Sequence, residues 1–169
     1  MSASDLMERI AAQQRRLINL ETQEMIPIVA RYTTNAAQSL NTGSDTIINF
    51  EDLGFDTWAA VTIGASWKFT APIGGYYLVS AAIEFAATTN WADGERAMLQ
   101  VFKGGVLSCV LAAQENHPAT SHKVQLGGSA LITMDASEYV DIRGNQASGG
   151  SLALVSTGVS NHVQIMRIR

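Results

Sequence analysis

Trp67-Lys68-Phe69-Thr70-Ala71-Pro72-Ile73-Gly74-Gly75-Tyr76-Tyr77-Leu78-Val79-Ser80 decides the fold class of this chain. It reads as an aromatic strand, a corner and a second aromatic strand. Pro72 fixes one backbone torsion, and Gly74 and Gly75 release the others, which is the chemistry of a sharp corner between strands. Beyond the corner the residues alternate: Tyr77, Val79, Ala81, Ile83 and Phe85 fall on one strand face, Tyr76, Leu78, Ser80 and Ala82 on the other.

Outward from this stretch, a period of two holds from Ile28 to the C-terminus. The pattern predicts strands over 28–33, 46–50, 58–63, 67–70, 76–86, 96–103, 106–113, 122–126, 130–134, 139–144, 151–156 and 162–168. Gly, Asn, Asp and Ser separate them. Lys103-Gly104-Gly105-Val106 has the form of a two-glycine hairpin, and the Gly pairs beginning at 74, 127 and 149 are also assigned to turns. So many short strands in one domain predict a sandwich or a barrel. Several are uncharged on both faces, among them 76–82, 106–111 and 152–155, so an outer face is either an interface or is covered by loops.

Residues 3–25 differ from the rest. They hold no Gly or Pro, are rich in Gln, Arg, Glu, Ala and Leu, and stop before Pro27, which predicts a helix. Asp5 followed by Glu8 has the spacing of a capping box and is expected to start it. Leu6, Ile10, Gln13, Leu17 and Leu20 are spaced as alternating d and a positions of a heptad repeat, with Gln13 a polar layer. In that register Arg16 at g and Glu21 at e can pair between parallel helices. The alternative is an amphipathic helix folded back on its own domain. The expected division is a coiled-coil stalk or docking helix over 1–26 and a β head over 27–169.

Hydrophobic residues make up 47% of the chain and charged residues 15%, little charge to cover a monomer's surface, which favours an oligomer. With a net charge of −4 and scattered Lys and Arg, no basic stripe is available for a phosphate backbone, so nucleic acid is excluded as an expected partner. The single cysteine, Cys109, lies in an apolar run and rules out an intrachain disulfide. No secretory leader and no apolar run of membrane-spanning length is legible, so the expectation is cytoplasmic synthesis without membrane insertion.

Phe69, Pro72, Gly75, Tyr76 and Leu78, with Trp67 opening the motif, fill the places of a motif shared by the jelly-roll superfamily of the complement globular head and tumour necrosis factor, which this chain resembles over roughly 28–169. A second block, 126–134 followed by 139–143, is similar to that family's pair of strands around a tight turn. The chain departs from the pattern at Ser137-Glu138, where Gly precedes the acid in many members, and at Asn161-His162-Val163, where an aromatic residue is common. The resemblance implies an antiparallel jelly-roll sandwich and a homotrimer with a threefold stalk. The heptads alone do not imply three chains, since Ile at a with Leu at d favours two. A short coil, a Pro-containing neck and a compact head also resemble small bacteriophage virion proteins that decorate capsids or form short fibres.

Candidate chemistry is sparse. His117, His122 and His162 lack metal-ligand spacing, although a trimer axis could gather three copies of one. The carboxylates beyond the helix lie mostly in expected turns, and no phosphate-loop motif is present. Trp91 is the best-placed loop aromatic, and with Asn116 and His117 it forms a candidate ligand loop. No catalytic residue, metal or cofactor is expected. The expected function is a non-enzymatic virion structural protein, made in the host cytoplasm and displayed on the virion surface. It would dock as a homotrimer on the major capsid protein or another virion protein to decorate or cement it. The alternative is a trimeric adhesin for a host surface glycan or protein.

Overall fold

Along the strand after the Pro72 corner, Tyr77, Val79, Ala81 and Ile83 are buried while Tyr76, Leu78, Ser80 and Ala82 reach the surface, so one face seats a core. The computed structural model describes all residues except 1, 87–89, 117–119, 122 and 169. The side chains of 3, 19–25, 90, 120 and 121 also lie outside the description.

The chain runs α1 (Ala3–Met25), β1 (Val29–Thr33), β2 (Ser39–Leu40), β3 (Thr46–Ile47), β4 (Asp52–Asp56) and β5 (Val61–Thr62). It continues through β6 (Lys68–Thr70), β7 (Gly75–Glu84), β8 (Asn90–Trp91), β9 (Arg96–Lys103) and β10 (Val106–Glu115). The last strands are β11 (Thr120–Ser121), β12 (Gln125–Met134), β13 (Tyr139–Gln146), β14 (Leu152–Ala153) and β15 (His162–Arg167). One antiparallel sheet has the order β12-β7-β15-β1-β4. The second has the order β10-β9-β13-β6-β5, with β3 added beside β13. Two small ribbons, β8 with β11 and β2 with β14, complete the described architecture.

The inner faces of the two sheets meet in one apolar core. Trp67, fully buried, meets Phe50 and Tyr32 edge to face at centroid distances of 5.3 Å and 6.5 Å. Phe69 packs on Tyr77 at 5.5 Å, and the Tyr77 hydroxyl donates to the Ile73 carbonyl, which ties the corner to the strand it launches. Asp56 fixes the passage from one sheet to the other: its carboxylate accepts from the backbone N–H of Trp58 and Val61 and from the Tyr32 hydroxyl. Burial, then the neighbouring Asp56 charge, pushes the Tyr32 phenol up to about 12. Gln146 and Asn161 are buried amides with both ends engaged. Gln146 donates to the Leu40 and Gly150 carbonyls and accepts from Ser148; Asn161 donates to the Val155 carbonyl and accepts from the Glu84 N–H.

Several expectations change. The helix begins one turn earlier than the Asp5–Glu8 reading: Ser2 is the N-cap, and Asp5 supplies the reciprocal carboxylate of its capping box. The strands expected at 122–126 and 130–134 are one continuous β12 paired throughout with β7, so Gly127 and Gly128 lie inside a strand and not at a turn. β4 was not expected because four of its five residues are exposed and no alternation marks them. Over 46–50 only Thr46–Ile47 forms a strand, prolonged by the Ile48 N–H donating to the Ile142 carbonyl, and Ile48 and Phe50 are fully buried, so the apolar signal there reports burial more than strand length.

Gly128 explains its own position. A Cβ placed on it would stand 2.3 Å from the Leu111 carbonyl oxygen, because β10 of the second sheet crosses close over β12 of the first. Trp91 belongs to the core as well: it is 1% exposed and meets Phe85 edge to face at 5.8 Å. Gly128→Ala is expected to cost about 1–3 kcal/mol in chemical denaturation by forcing the two strands apart. Gly150→Ala, which meets nothing within 4 Å, should stay within about 0.5 kcal/mol. Trp91→Ala should cost about 3–5 kcal/mol in the same assay; an unchanged midpoint would return Trp91 to the role of a surface contact.

Candidate functional site

The outer face of the first sheet is built from strand registers. Leu131 pairs beside Leu78, Leu78 beside Met166 and Met166 beside Val29, which sets four apolar side chains in one row across β12, β7, β15 and β1. One step toward the helix end, Thr133 faces Tyr76, and the Ile168 N–H donates to the Tyr76 carbonyl. Leu131, Tyr76 and Ile168 are each more than half exposed, Met166 slightly less. A groove of about 130 Å³ opens among Val29, Leu78, Met166 and Phe55.

The patch is confined to the half of the sheet nearest the helix. One step farther out the same face carries Ser129, Ser80, Gln164 and Arg31, with Ser80 and Ser129 hydroxyls hydrogen-bonded at 2.7 Å. Farther still come His162, whose ring meets the Val159 carbonyl, and Glu84. The Ser160 hydroxyl and then Lys123 hold the Glu84 carboxyl below its usual value. The apolar part of the sheet is therefore a local feature beside the helix, not a property of the whole face.

A second apolar surface lies at the sandwich edge. Val106, Leu107 and Val110 of β10 are exposed, Val106 at 70%. The turn that starts this strand is a two-residue loop, with Lys103 paired to Val106 and both Gly104 and Gly105 at positive φ, as a tight hairpin requires. On α1 the stripe is also open: Leu6, Ile10 and Leu17 are 42–57% exposed. Gln13 and Arg16 are exposed too, and between residues 4 and 18 only Ala11 is partly covered. The head does not cover this stripe over those residues, which disfavours the folded-back helix. The Leu20 and Glu21 side chains lie outside the described residues.

The other singled-out residues take structural places. Phe69 and Leu78 belong to the strands on either side of the corner made by Pro72 and Gly75, Trp67 directly precedes the first of them, and Tyr76 opens the exposed face. Trp91 presents no surface to a ligand. Asn116, also buried, donates to the Trp91 carbonyl at 2.9 Å, accepts from the Gly94 N–H and donates its own N–H to the Glu95 carbonyl, so it pins the 91–95 turn. His117 lies outside the described residues. Cys109 is half-buried, and burial pushes its thiol up, away from the reactive thiolate. Among the described residues no three His, Cys, Asp or Glu side chains gather to hold a metal, and no helix is long and apolar enough to cross a membrane.

Sequence reasoning missed Leu131, Met166, Ile168 and Phe55 as one patch. The uncharged second face of β7 was its visible signal; the registers that bring β12, β15 and β4 alongside were not.

No protein-family model matches the sequence, and no curated protein is similar to it. Solved structures do match in fold. Eiger, a tumour necrosis factor of S. frugiperda, superposes with a TM-score of 0.59 at 13% identity, covering 85% of this chain and 93% of that one. The globular domain of zebrafish complement 1qA protein gives 0.57 at 15% identity, over 85% and 98%. Murine APRIL gives 0.59 at 9% identity, over 85% and 100%. The β-sandwich of this chain thus has the jelly-roll fold of the tumour necrosis factor and complement globular domains, with a helix placed before its first strand.

Proposed function

We propose that the chain is a non-enzymatic virion structural protein whose heads assemble as a homotrimer and which docks on a capsid as a decoration, cement or short fibre. The observation that carries the assembly is the apolar half-face around Leu78, Leu131 and Met166, lying on the side from which the heptad helix departs. The heads provide two unlike apolar surfaces, this face and the β10 edge at Val106, Leu107 and Val110. Unlike patches on one chain make a head-to-tail contact, which closes into a ring when the rotation permits. In such a ring the helices leave from neighbouring positions, and three short heptads, marginal alone, gain from the held proximity. The resemblance of the head to trimeric jelly rolls supports three subunits.

The virion assignment rests on the small head, the minimal stalk and their likeness to phage decoration proteins. A receptor-binding tail protein is the second reading, and it draws on the polar side chains that β13 carries on the outer face of the second sheet, Asp141, Arg143 and Asn145.

In sedimentation analysis the native chain is expected at three times its monomer mass. Leu131→Glu with Met166→Glu should yield folded monomers with unchanged circular dichroism. Leu17→Glu should loosen the stalk and leave the heads together; monomers after that single change would reverse the ordering of head over stalk. Immunogold labelling of native particles tests the location: label over the capsid supports decoration, label at tail tips supports the adhesin, and unlabelled particles overturn the virion reading.

A further inference from the structure

On the outer face of the second sheet, away from the assembly patch, a half-open cleft of about 170 Å³ is lined by Ile47, Ser66, Trp67, Lys68, Tyr139, Asp141 and Arg143. Its floor is a charge pair. The Arg143 Nε donates to Asp141 Oδ1 at 2.6 Å and Nη2 to Oδ2 at 3.2 Å, with the carboxylate side chain only 3% exposed. The guanidinium lies 3.9 Å from the ring centroid of Phe102, which fixes its plane. Two unmatched donors remain at the rim. Lys68 meets no carboxylate among the described residues; its ammonium sits 4.9 Å from the Tyr139 ring centroid. The Nη1 end of Arg143 has no hydrogen-bond partner there either. Ser66 adds an exposed hydroxyl.

The lining therefore holds more donors than acceptors and one positive charge in excess, on a chain whose net charge is −4. Asp45, just beyond the cleft, accepts from Asn145 at 2.7 Å, and its charge also acts on Arg143, which leaves Lys68 as the cation without a carboxylate. Ile47 and the Tyr139 ring give the same cleft an apolar wall. A planar anion bonded by ammonium and guanidinium, attached to a ring that lays C–H groups on an apolar wall, matches both halves. The volume suits one small ring, since an apolar cavity of about 150 Å³ admits benzene. We infer that this cleft binds the carboxylate-bearing ring of an acidic sugar of the uronic acid class. The inference is independent of the trimer and of the virion assignment.

Titration of the isotope-labelled full chain with glucuronate, glucose and inorganic phosphate, followed by amide resonances, tests it. Glucuronate should give saturable shifts over 66–68 and 139–143, with glucose weaker by about tenfold, the contribution of charge-assisted bonds. Lys68→Ala, at a half-exposed position with no structural ion pair, should weaken glucuronate by about fivefold or more with unchanged circular dichroism. Arg143→Lys keeps the charge and loses the fork, so it should weaken glucuronate as well. No saturable shift at these residues, glucose binding as tightly as glucuronate, or indifference to Lys68→Ala would each overturn the site. Phosphate binding as tightly as glucuronate would make it a plain oxyanion site and overturn the sugar assignment.

Discussion

An indole held between two sheets sets the geometry of this molecule. Trp67 follows a tight turn in which its own N–H donates to the Gly64 carbonyl, so the ring is aimed inward before β6 begins. There it wedges between Tyr32 of the first sheet and Phe50 of the β3–β4 connection. Packed sheets stand about 10 Å apart, and large aromatic side chains from both inner faces fill that gap. Phe69 and Tyr77 repeat the arrangement one corner later, and Phe85 with Trp91 repeats it at the far end of β7. The core thus holds three groups of aromatic contacts, with aliphatic residues between them.

The parts of the fold legible in the sequence are those where one face is buried and the other is not. β7 and the Gly104-Gly105 hairpin are legible in this way, because alternation and turn chemistry are local signals. β4 escaped notice because an edge strand with exposed residues on both faces has no period to read. Gly127 and Gly128 misled for a different reason. Two adjacent glycines usually mean a turn, and only the approach of β10 in space shows that the second is needed for lack of a side chain. Trp91 looked like a loop aromatic because its neighbours are polar, whereas Asn116, distant in sequence, folds the turn over it. The site residues divide in the same way: the heptad stripe is visible from spacing, while the Leu131–Leu78–Met166 row exists only once three strands are paired.

The two outer faces solve the problem of low surface charge in opposite ways. The first leaves aliphatic side chains bare beside the helix and becomes polar with distance from it. The second buries a carboxylate but supplies its counter-ion two residues along the same strand, at Arg143, with a ring beneath the guanidinium. A bare apolar surface favours association with little directional demand, whereas a fixed, partly spent guanidinium selects by shape and charge. One molecule can carry both because the core separates them, so a change on one face reaches the other only by moving the sandwich itself.

The connection between helix and head has a consequence for how such a chain can lengthen. α1 ends at Met25 and β1 begins at Val29, with Ile26 extended and Pro27 stiffening the join. So short a link leaves the angular phase of the heptad stripe tied to the facing of the first sheet. One inserted residue would turn the stripe by about 100°. Seven would restore it, in the underwound geometry of a supercoil. A helix attached in this manner keeps step with the sandwich only when it grows by whole heptads.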